Sequence, residues 1–240
     1  MFLLTFINLF IEIILNLEKN LNFPYFYIFM ISTGSKDLDE FLSGYKDVTI
    51  IYGAASTGKT CCCLLAAIEQ AKQNKKVLFL DTENSFSLER VKQVNDDEKI
   101  LDNILVFKIK SFKEQQKRIR ELDKIISKSN ISLVVIDTIG FFYRTLVKRH
   151  SDLANSMLIS QVNILKEISK NIPVIIANPV YSGLDDFEKI KIVGGEILKR
   201  IADTLIRLEK FDNGKRKLKL IKPKKEEMFF EISDKGIFKI

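Results

Sequence analysis

From residue 30 onward, apolar and polar positions follow two alternating patterns along the chain. Short, almost fully apolar runs predict buried β-strands, and they fall at residues 47–52, 76–81, 104–109, 132–137 and 173–178. Between them, apolar residues at helical spacing predict helices at residues 35–42, 59–75, 112–128 and 151–170. The apolar face of the last helix consists of Ala154, Met157, Leu158, Val162, Leu165 and Ile168.

The order of these elements predicts the fold class. Strands that alternate with helices form βαβ units and a mostly parallel sheet with helices on both faces. Near the C-terminus the pattern changes to short strands at residues 204–209, 217–221 and 228–232, and Gly214 supplies a turn between the first two. We therefore expect an α/β domain with a small antiparallel C-terminal extension.

The first 29 residues do not continue either pattern. Residues 2–17 are mainly apolar but contain Glu12, and they fall short of the ~20 residues that a membrane span needs. The basic residues and the small-residue cleavage site of a signal peptide are absent. A hydrophobic anchor helix stays an alternative. Our preferred interpretation is that the true start is Met30, which leaves residues 30–240 as the domain.

Composition and charge narrow the possible partners. Of the 240 residues, 46% are hydrophobic, so the chain can bury a core and is not a disordered segment. The formal net charge of +7 favours a polyanionic partner, nucleic acid before membrane, although a solvated Lys-rich surface produces the same excess. The only cysteines are the adjacent Cys61, Cys62 and Cys63, which favours small buried residues in a reducing, cytoplasmic setting.

A phosphate-binding loop follows the first predicted strand. The pattern G-x-x-x-x-G-K-[ST] is matched in full, between a strand and a helix, as this motif requires. Glycines let backbone N–H groups surround phosphate oxygens, the lysine bridges the terminal phosphates, and the threonine hydroxyl reaches Mg²⁺. The ATP-binding residues are therefore Gly53, Ala54, Ala55, Ser56, Thr57, Gly58, Lys59 and Thr60.

A carboxylate at the end of another buried strand supplies the second half of this site. Residues 133–136 are apolar and are followed by Asp137. Alone this is a weak signal, because any buried strand can end in Asp. Together with the phosphate loop it indicates that Asp137 holds Mg²⁺ through water, with Thr60 as the other protein ligand.

The segment after the second predicted strand resembles a particular family. Residues 79–90, FLDTENSFSLER, are similar to the D-T-E-G-T-F-x-x-E-R block of RecA-fold recombinases. In that family the Glu orients the attacking water, so the resemblance implies that Glu83 is the catalytic base. The alternative is a solvated loop carboxylate. Asn84 and Ser87 depart from the pattern, since the family usually has Gly at the first position and often a basic residue at the second.

Further segments extend the resemblance over residues 30–240. Residues 174–181, VIIANPVY, resemble the family's V-x-x-T-N-Q-V, and residues 193–195 and 204–210 resemble the glycine pair and return strand after its second DNA loop. With residues 31–34, ISTG, the set resembles the archaeal RadB family, short paralogues of the RadA recombinase. Pro179 stands where recombinases carry a Gln that senses the γ-phosphate, and Asn178 is the candidate substitute.

The resemblance implies a RecA-like fold and a function. Members of the RadB family bind ATP with Mg²⁺, bind DNA, hydrolyse ATP poorly and do not exchange strands alone. They are thought to act with a RadA-type recombinase and a Holliday-junction resolvase in recombination and repair. A cytoplasmic protein without a membrane partner is therefore expected.

Two other functions stay open. A filament-forming strand-exchange recombinase usually needs a Phe-x-x-Ala hook ahead of the core, and residues 1–45 contain none. A KaiC-like regulatory ATPase of the same fold would bind a protein in place of DNA.

The expected DNA contacts lie in three segments. One follows Asp137, where this fold carries its first DNA loop; the second spans residues 181–192; the third is a basic stretch near the C-terminus. Basic side chains neutralise phosphates and aromatic rings stack on bases. Core packing is the preferred interpretation of Phe141 and Phe142, and a charged edge strand is an equal alternative for the lysines. The candidates are Tyr143, Arg144, Lys148, Arg149, Tyr181, Lys189, Lys191, Lys222, Lys224 and Lys225.

Overall fold

The computed structural model describes residues 30–181, 191–211 and 213–240. Its helices are α1 (Lys36–Leu42), α2 (Lys59–Lys72), α3 (Leu88–Val94), α4 (Phe112–Ile126), α5 (Gly140–Leu146), α6 (Ser151–Ile168) and α7 (Gly195–Ile201), with a 3-10 turn at Glu98–Asn103. Its strands are β1 (Val48–Gly53), β2 (Lys76–Asp81), β3 (Ile104–Lys108), β4 (Ile131–Asp137), β5 (Val174–Tyr181), β6 (Lys191–Ile192), β7 (Thr204–Lys210), β8 (Arg216–Lys222), β9 (Glu226–Ser233) and β10 (Gly236–Lys239).

One sheet organises the molecule, in the order β10-β9-β8-β7-β1-β5-β4-β2-β3, with β6 paired to β5. The strands from β7 to β3 are parallel, and β8, β9 and β10 continue the sheet antiparallel. The predicted RecA-like α/β class with an antiparallel C-terminal extension is confirmed. The prediction for residues 204–209 needs a correction, because β7 is antiparallel only to β8 and parallel to β1.

The core lies on both faces of this sheet. Alternate residues of β1 face opposite layers: Ile51 packs with α2, whereas Ile50 packs with the layer of α4, α6 and α7. Strands buried on both faces have to be apolar at nearly every position, which is why β4 could be recognised from the sequence. The sequence missed α3, α5, α7, β6 and β10, whose short lengths leave little periodicity to detect.

Helix α1 covers the outer edge of β10. Ser35 caps the helix and donates its hydroxyl to the carbonyl of Ile237 at 2.8 Å. Asp37 accepts the backbone N–H of Lys239 at 2.7 Å. Backbone groups that an edge strand would leave open are thereby satisfied by side chains of the same chain.

Candidate functional site

The phosphate loop joins β1 to α2 at the carboxyl end of the parallel strands. Gly58 has φ of 110°, a conformation that favours glycine. A Cβ on Gly53 would lie 2.4 Å from the carbonyl oxygen of Leu208, so this position also has no room for a side chain. The glycines of the motif are therefore required by the backbone path of the loop itself.

The side chains of the loop divide into exposed and buried groups. Thr57 is buried and donates its hydroxyl to the carbonyl of Ala54 at 3.0 Å, which closes the loop on itself. Ala54, Ala55 and Ser56 are exposed and Thr60 is half-buried. The loop is thus pre-formed, and its exposed backbone is open to a ligand.

Lys59 lies inside the loop. Its Nζ donates to the carbonyls of Gly53 and Ala54 at 3.1 and 2.7 Å. Burial lowers the pKa of Lys59, and the carboxylates of Glu83 and Asp137 act in the opposite direction. The ammonium is therefore positioned between the loop and two carboxylates, where a phosphate and a cation can both be held.

Asp137 ends β4 with 1% of its surface exposed. Its Oδ2 accepts the hydroxyl of Ser85 at 3.0 Å, whereas its Oδ1 is buried without a hydrogen-bond partner among the described residues. Burial raises the pKa of Asp137 to about 6, although hydrogen bonds from Thr60 and Ser85 lower it. A buried carboxylate oxygen with no partner is suited to a cation.

Asp81, at the end of β2, holds the loop that carries Glu83. It is buried and accepts the backbone N–H groups of Ser85 and Phe86, both at 3.0 Å. Sequence reasoning assigned no role to Asp81 or Ser85, although Asp81 belongs to the segment that resembles the recombinases.

Glu83 itself is exposed, and Thr138 fixes its position. The Thr138 hydroxyl donates to Oε1 of Glu83 at 2.7 Å. Thr138 is tied to β2 in turn, because its N–H donates to the Thr82 hydroxyl and its carbonyl accepts from that hydroxyl, each at 2.8 Å. The carboxylate is thus held at the same edge of the sheet as Lys59 and Asp137. Sequence reasoning also assigned no role to Thr138.

The structure corrects the assignment of Asn178 to the nucleotide site. Asn178 is fully buried and packs against Gly140, on the face of the sheet away from α2. Its amide donates to the carbonyl of Val193 at 2.7 Å. Because side chains alternate along a strand, Pro179 faces the opposite side of the sheet from Asn178. Its backbone is in register with Gly53 of β1. Asn178 therefore anchors the segment before α7, and Pro179 is the residue beside the phosphate loop.

Three of the predicted DNA-binding residues surround one cleft of about 460 Å³ between α5, β6 and α7. Tyr181 is 38% exposed and Lys191 is exposed at its rim. Tyr143 is 5% exposed, and its hydroxyl donates to Asn155 at 2.7 Å. A ring buried in this way has no face for a base, so the assignment of Tyr143 as a DNA contact does not fit the structure.

The basic residues around α5 are open to solvent. Arg144, Lys148 and Arg149 are exposed, and the guanidinium of Arg144 lies 5.0 Å from the ring centre of Phe141. Phe142 is partly buried against the core, whereas Phe141 lies between Arg144 and the ring of Phe142. Core packing thus accounts for Phe142 better than for Phe141.

The C-terminal lysines have different surroundings. Lys222 is half-buried and donates to the carbonyls of Lys199 and Ala202 at the end of α7, at 2.7 and 3.5 Å. It therefore caps a helix, contrary to its assignment as a phosphate contact. Lys224 is exposed and pairs with Glu226 at 2.9 Å, and Lys225 is exposed. Lys189 lies outside the described residues.

Comparisons with known proteins identify the family of this chain. A family model described as Rad51 matches residues 26–240. The chain belongs to the Rad51 family.

Within this family, the chain is similar to several RadB proteins. The DNA repair and recombination protein RadB of Methanobrevibacter smithii is 32% identical over 94% of this chain and 99% of the relative. That of Methanococcoides burtonii is 36% identical over 78% of this chain and 86% of the relative. A crystal structure of the RadB recombinase superposes with a TM-score of 0.72 at 32% identity, over 87% of this chain and 98% of that chain. The predicted resemblance to RadB is confirmed, and the chain is a RadB-type recombination and repair protein.

None of the helices within the described residues has the length and apolar character needed to cross a membrane.

Proposed function

We propose that this Rad51-family chain is an ATP-binding and DNA-binding accessory protein of homologous recombination and repair. It hydrolyses ATP slowly and exchanges strands little on its own. The observation that carries the proposal is the meeting of the phosphate loop, Asp137 and Glu83 at the carboxyl ends of β1, β4 and β2, three parallel strands of one sheet. In open α/β sheets this edge is where nucleotides bind.

The residues present fit ATP with Mg²⁺. Backbone N–H groups of the loop and the start of α2 would bind the phosphates, and Lys59 would bridge the terminal ones. Thr60 and Asp137 would hold Mg²⁺, which neutralises phosphate charge when bound. The described residues contain no cluster of three or more His, Cys, Asp or Glu side chains suited to a metal. This fits an ion held by few protein ligands together with phosphates and water.

In hydrolysis, Glu83 would orient and deprotonate the attacking water. Its carboxylate is exposed, accepts a hydrogen bond from Thr138 and acts electrostatically on Lys59. A general base has to lie beside the reacting group and still reach water. The exposure of Glu83 and its action on Lys59, which would bind the terminal phosphates, support this role.

Slow hydrolysis with little response to DNA follows from Pro179. This residue is in register with Gly53, the first residue of the phosphate loop, and at the matching position the recombinases carry a Gln that senses the γ-phosphate. Proline has neither that amide nor a backbone N–H, and its ring fixes φ. The connection between the nucleotide and the segment after β5 is therefore stiffened.

DNA would bind beside the cleft and along the exposed basic residues. Phosphates would contact lysines and arginines, and a base would stack on the exposed ring of Tyr181. The proposed contacts are Arg144, Lys148, Arg149, Tyr181, Lys191, Lys224 and Lys225.

The family resemblance supports two protein partners, a RadA-type recombinase and a Holliday-junction resolvase, in the cytoplasm. We also propose Met30 as the functional start of the chain.

Two variants test the nucleotide site. Lys59→Ala should weaken ATP binding, because it removes the phosphate-bridging charge. Glu83→Gln should leave the Kd for ATP unchanged and lower only turnover, since it removes a base and no phosphate ligand. Calorimetric titration with ATP and steady-state phosphate release measure the two effects. A loss of ATP affinity in Glu83→Gln as large as in Lys59→Ala would refute the catalytic role.

DNA binding is tested separately, with labelled single-stranded DNA titrated at several salt concentrations. A salt-dependent shift supports the proposal. Failure to bind DNA at low salt would favour a regulatory ATPase with a protein partner.

A further inference from the structure

Arg216 occupies an inward-facing position of β8. On this strand, Leu218 and Leu220 alternate with outward-facing residues and pack in the core against α2. Arg216 is in the same alternation and lies opposite Phe230, another core residue. Because the burial of an unpaired cation is costly, a charged side chain at an inward-facing position needs a specific contact there.

This position lies against the phosphate loop. The Cδ of Arg216 is 3.9 Å from the place of a Cβ on Gly58, and a Cδ of Ile232 is 2.7 Å from it. Burial raises the pKa of Cys61, which follows Thr60 in the first turn of α2, and the nearby charges of Arg90 and Arg216 act in the opposite direction. Arg216 therefore lies beside the N–H groups of the loop and helix that bind phosphates in this motif.

The hydrogen bonds of Arg216 within the described residues do not use all of its N–H donors. One nitrogen donates to the carbonyl of Gly214 at 2.9 Å, and the Nε is buried without a hydrogen-bond partner among the described residues. Arg90, which donates to the Sγ of Cys61 at 3.7 Å, differs, because its guanidinium also donates to the carbonyls of Ser233 and Asp234 at 2.6 and 3.1 Å. A guanidinium carries five N–H donors, so Arg216 can still bind an anion.

We propose that Arg216 is a nucleotide-binding residue, which donates across Gly58 to the α- and β-phosphates. The inference rests on the proposed ATP binding and extends it to the C-terminal sheet. In the sheet, β8 lies on one side of β1, whereas β4 and β2, which lead to Asp137 and Glu83, lie on the other side. Arg216 is thus placed on the side of the loop away from the two carboxylates that would serve the γ-phosphate. Its contribution is the same for ATP and ADP.

The test compares three variants of the full chain by titration calorimetry with ATP and ADP in the presence of Mg²⁺. Arg216→Gln removes the charge and most donors, and Arg216→Lys keeps the charge. Lys217→Gln is the matched control, because it removes an equal charge from the next residue, which faces outward and pairs with Glu227. Thermal unfolding without nucleotide checks that each variant is folded.

Arg216→Gln should raise the Kd for ATP and ADP by the same factor of about ten, as expected for one hydrogen bond to a charged group. Arg216→Lys should show a smaller loss of affinity, equal for ATP and ADP. If Arg216→Gln does not fold, Arg216→Lys replaces it in the comparison. Lys217→Gln should stay within about twofold, because its side chain points away from the loop.

Unchanged affinity in Arg216→Gln, or a loss for ATP alone, would overturn the inference while leaving ATP binding intact. If the unaltered protein binds neither nucleotide, the proposed function fails as well.

Discussion

Replacing Thr138 with valine should release Glu83 without altering the rest of the site. The two side chains have nearly the same shape, and Thr138 is 2% exposed, so the backbone around it is held by its neighbours. The variant loses one hydrogen bond, the 2.7 Å bond to Glu83. Water can replace that bond because Glu83 is exposed, and the expected loss of stability is about 1 kcal/mol or less.

The effect on turnover should be larger than the effect on stability. A positioned general base contributes a factor of roughly 10² to 10⁴ to a rate, and Glu83→Gln should lose most of it. Thr138→Val keeps the base but not its position, so kcat should fall by about tenfold with KM for ATP unchanged. Steady-state phosphate release over a range of ATP concentrations measures both quantities.

A double mutant decides whether Thr138 acts through Glu83. If it does, adding Thr138→Val to Glu83→Gln should lower kcat little further, because the base is already absent. Urea unfolding of all four proteins serves as the control for stability. A double mutant whose loss equals the product of the two single losses would refute the reasoning, and so would a rise in KM with Thr138→Val.

Three further results are expected from variants, and a fourth from the unaltered protein. Lys222→Ala should lower the free energy of unfolding in urea by about 1 kcal/mol, because α7 loses its capping cation, without changing the salt dependence of DNA binding. Neutralising Lys148 and Arg149 should instead flatten the slope of log affinity against log salt concentration. The expected change is up to ~0.7 for each lost contact with a phosphate of single-stranded DNA. An unchanged slope would show that these two residues do not contact DNA. A chain starting at Met30 should be soluble and bind ATP normally, and loss of folding on truncation would contradict the proposed start. DNA should stimulate ATP hydrolysis well below about tenfold, because Pro179 cannot relay the nucleotide state; a larger stimulation in a DNA titration would contradict this.

The sequence predicted the parts of the site that are local in the chain. The phosphate loop needs glycines at fixed spacing because of its own backbone path, and Asp137 ends a strand whose burial is visible as an apolar run. These features depend on neighbours in sequence, so a pattern can reveal them. The role of Glu83 as catalytic base was predicted from family resemblance alone, since nothing in its own segment requires a base.

The sequence failed where distant contacts decide the role of a side chain. Tyr143 was predicted to contact DNA, yet its ring is buried and its hydroxyl donates to Asn155. Lys222 was predicted to contact a phosphate, yet its ammonium donates to a carbonyl near the end of α7. The direction of β7 depends on its pairing with β1, which lies about 150 residues earlier by the register of the two strands. The roles of these side chains and the direction of this strand depend on contacts between segments that are far apart in the sequence.

The contact of α1 with β10 has a consequence for how the protein is made. Ser35 and Ile237 are separated by 202 residues, so the first helix of the described core can meet β10 only after that stretch of chain has been made. At the usual pace of translation that interval is roughly 10 to 40 s. During this time α1 has to persist without its contact to β10. Chains that lack β10 should therefore have a loose first helix, which cellular proteases would attack.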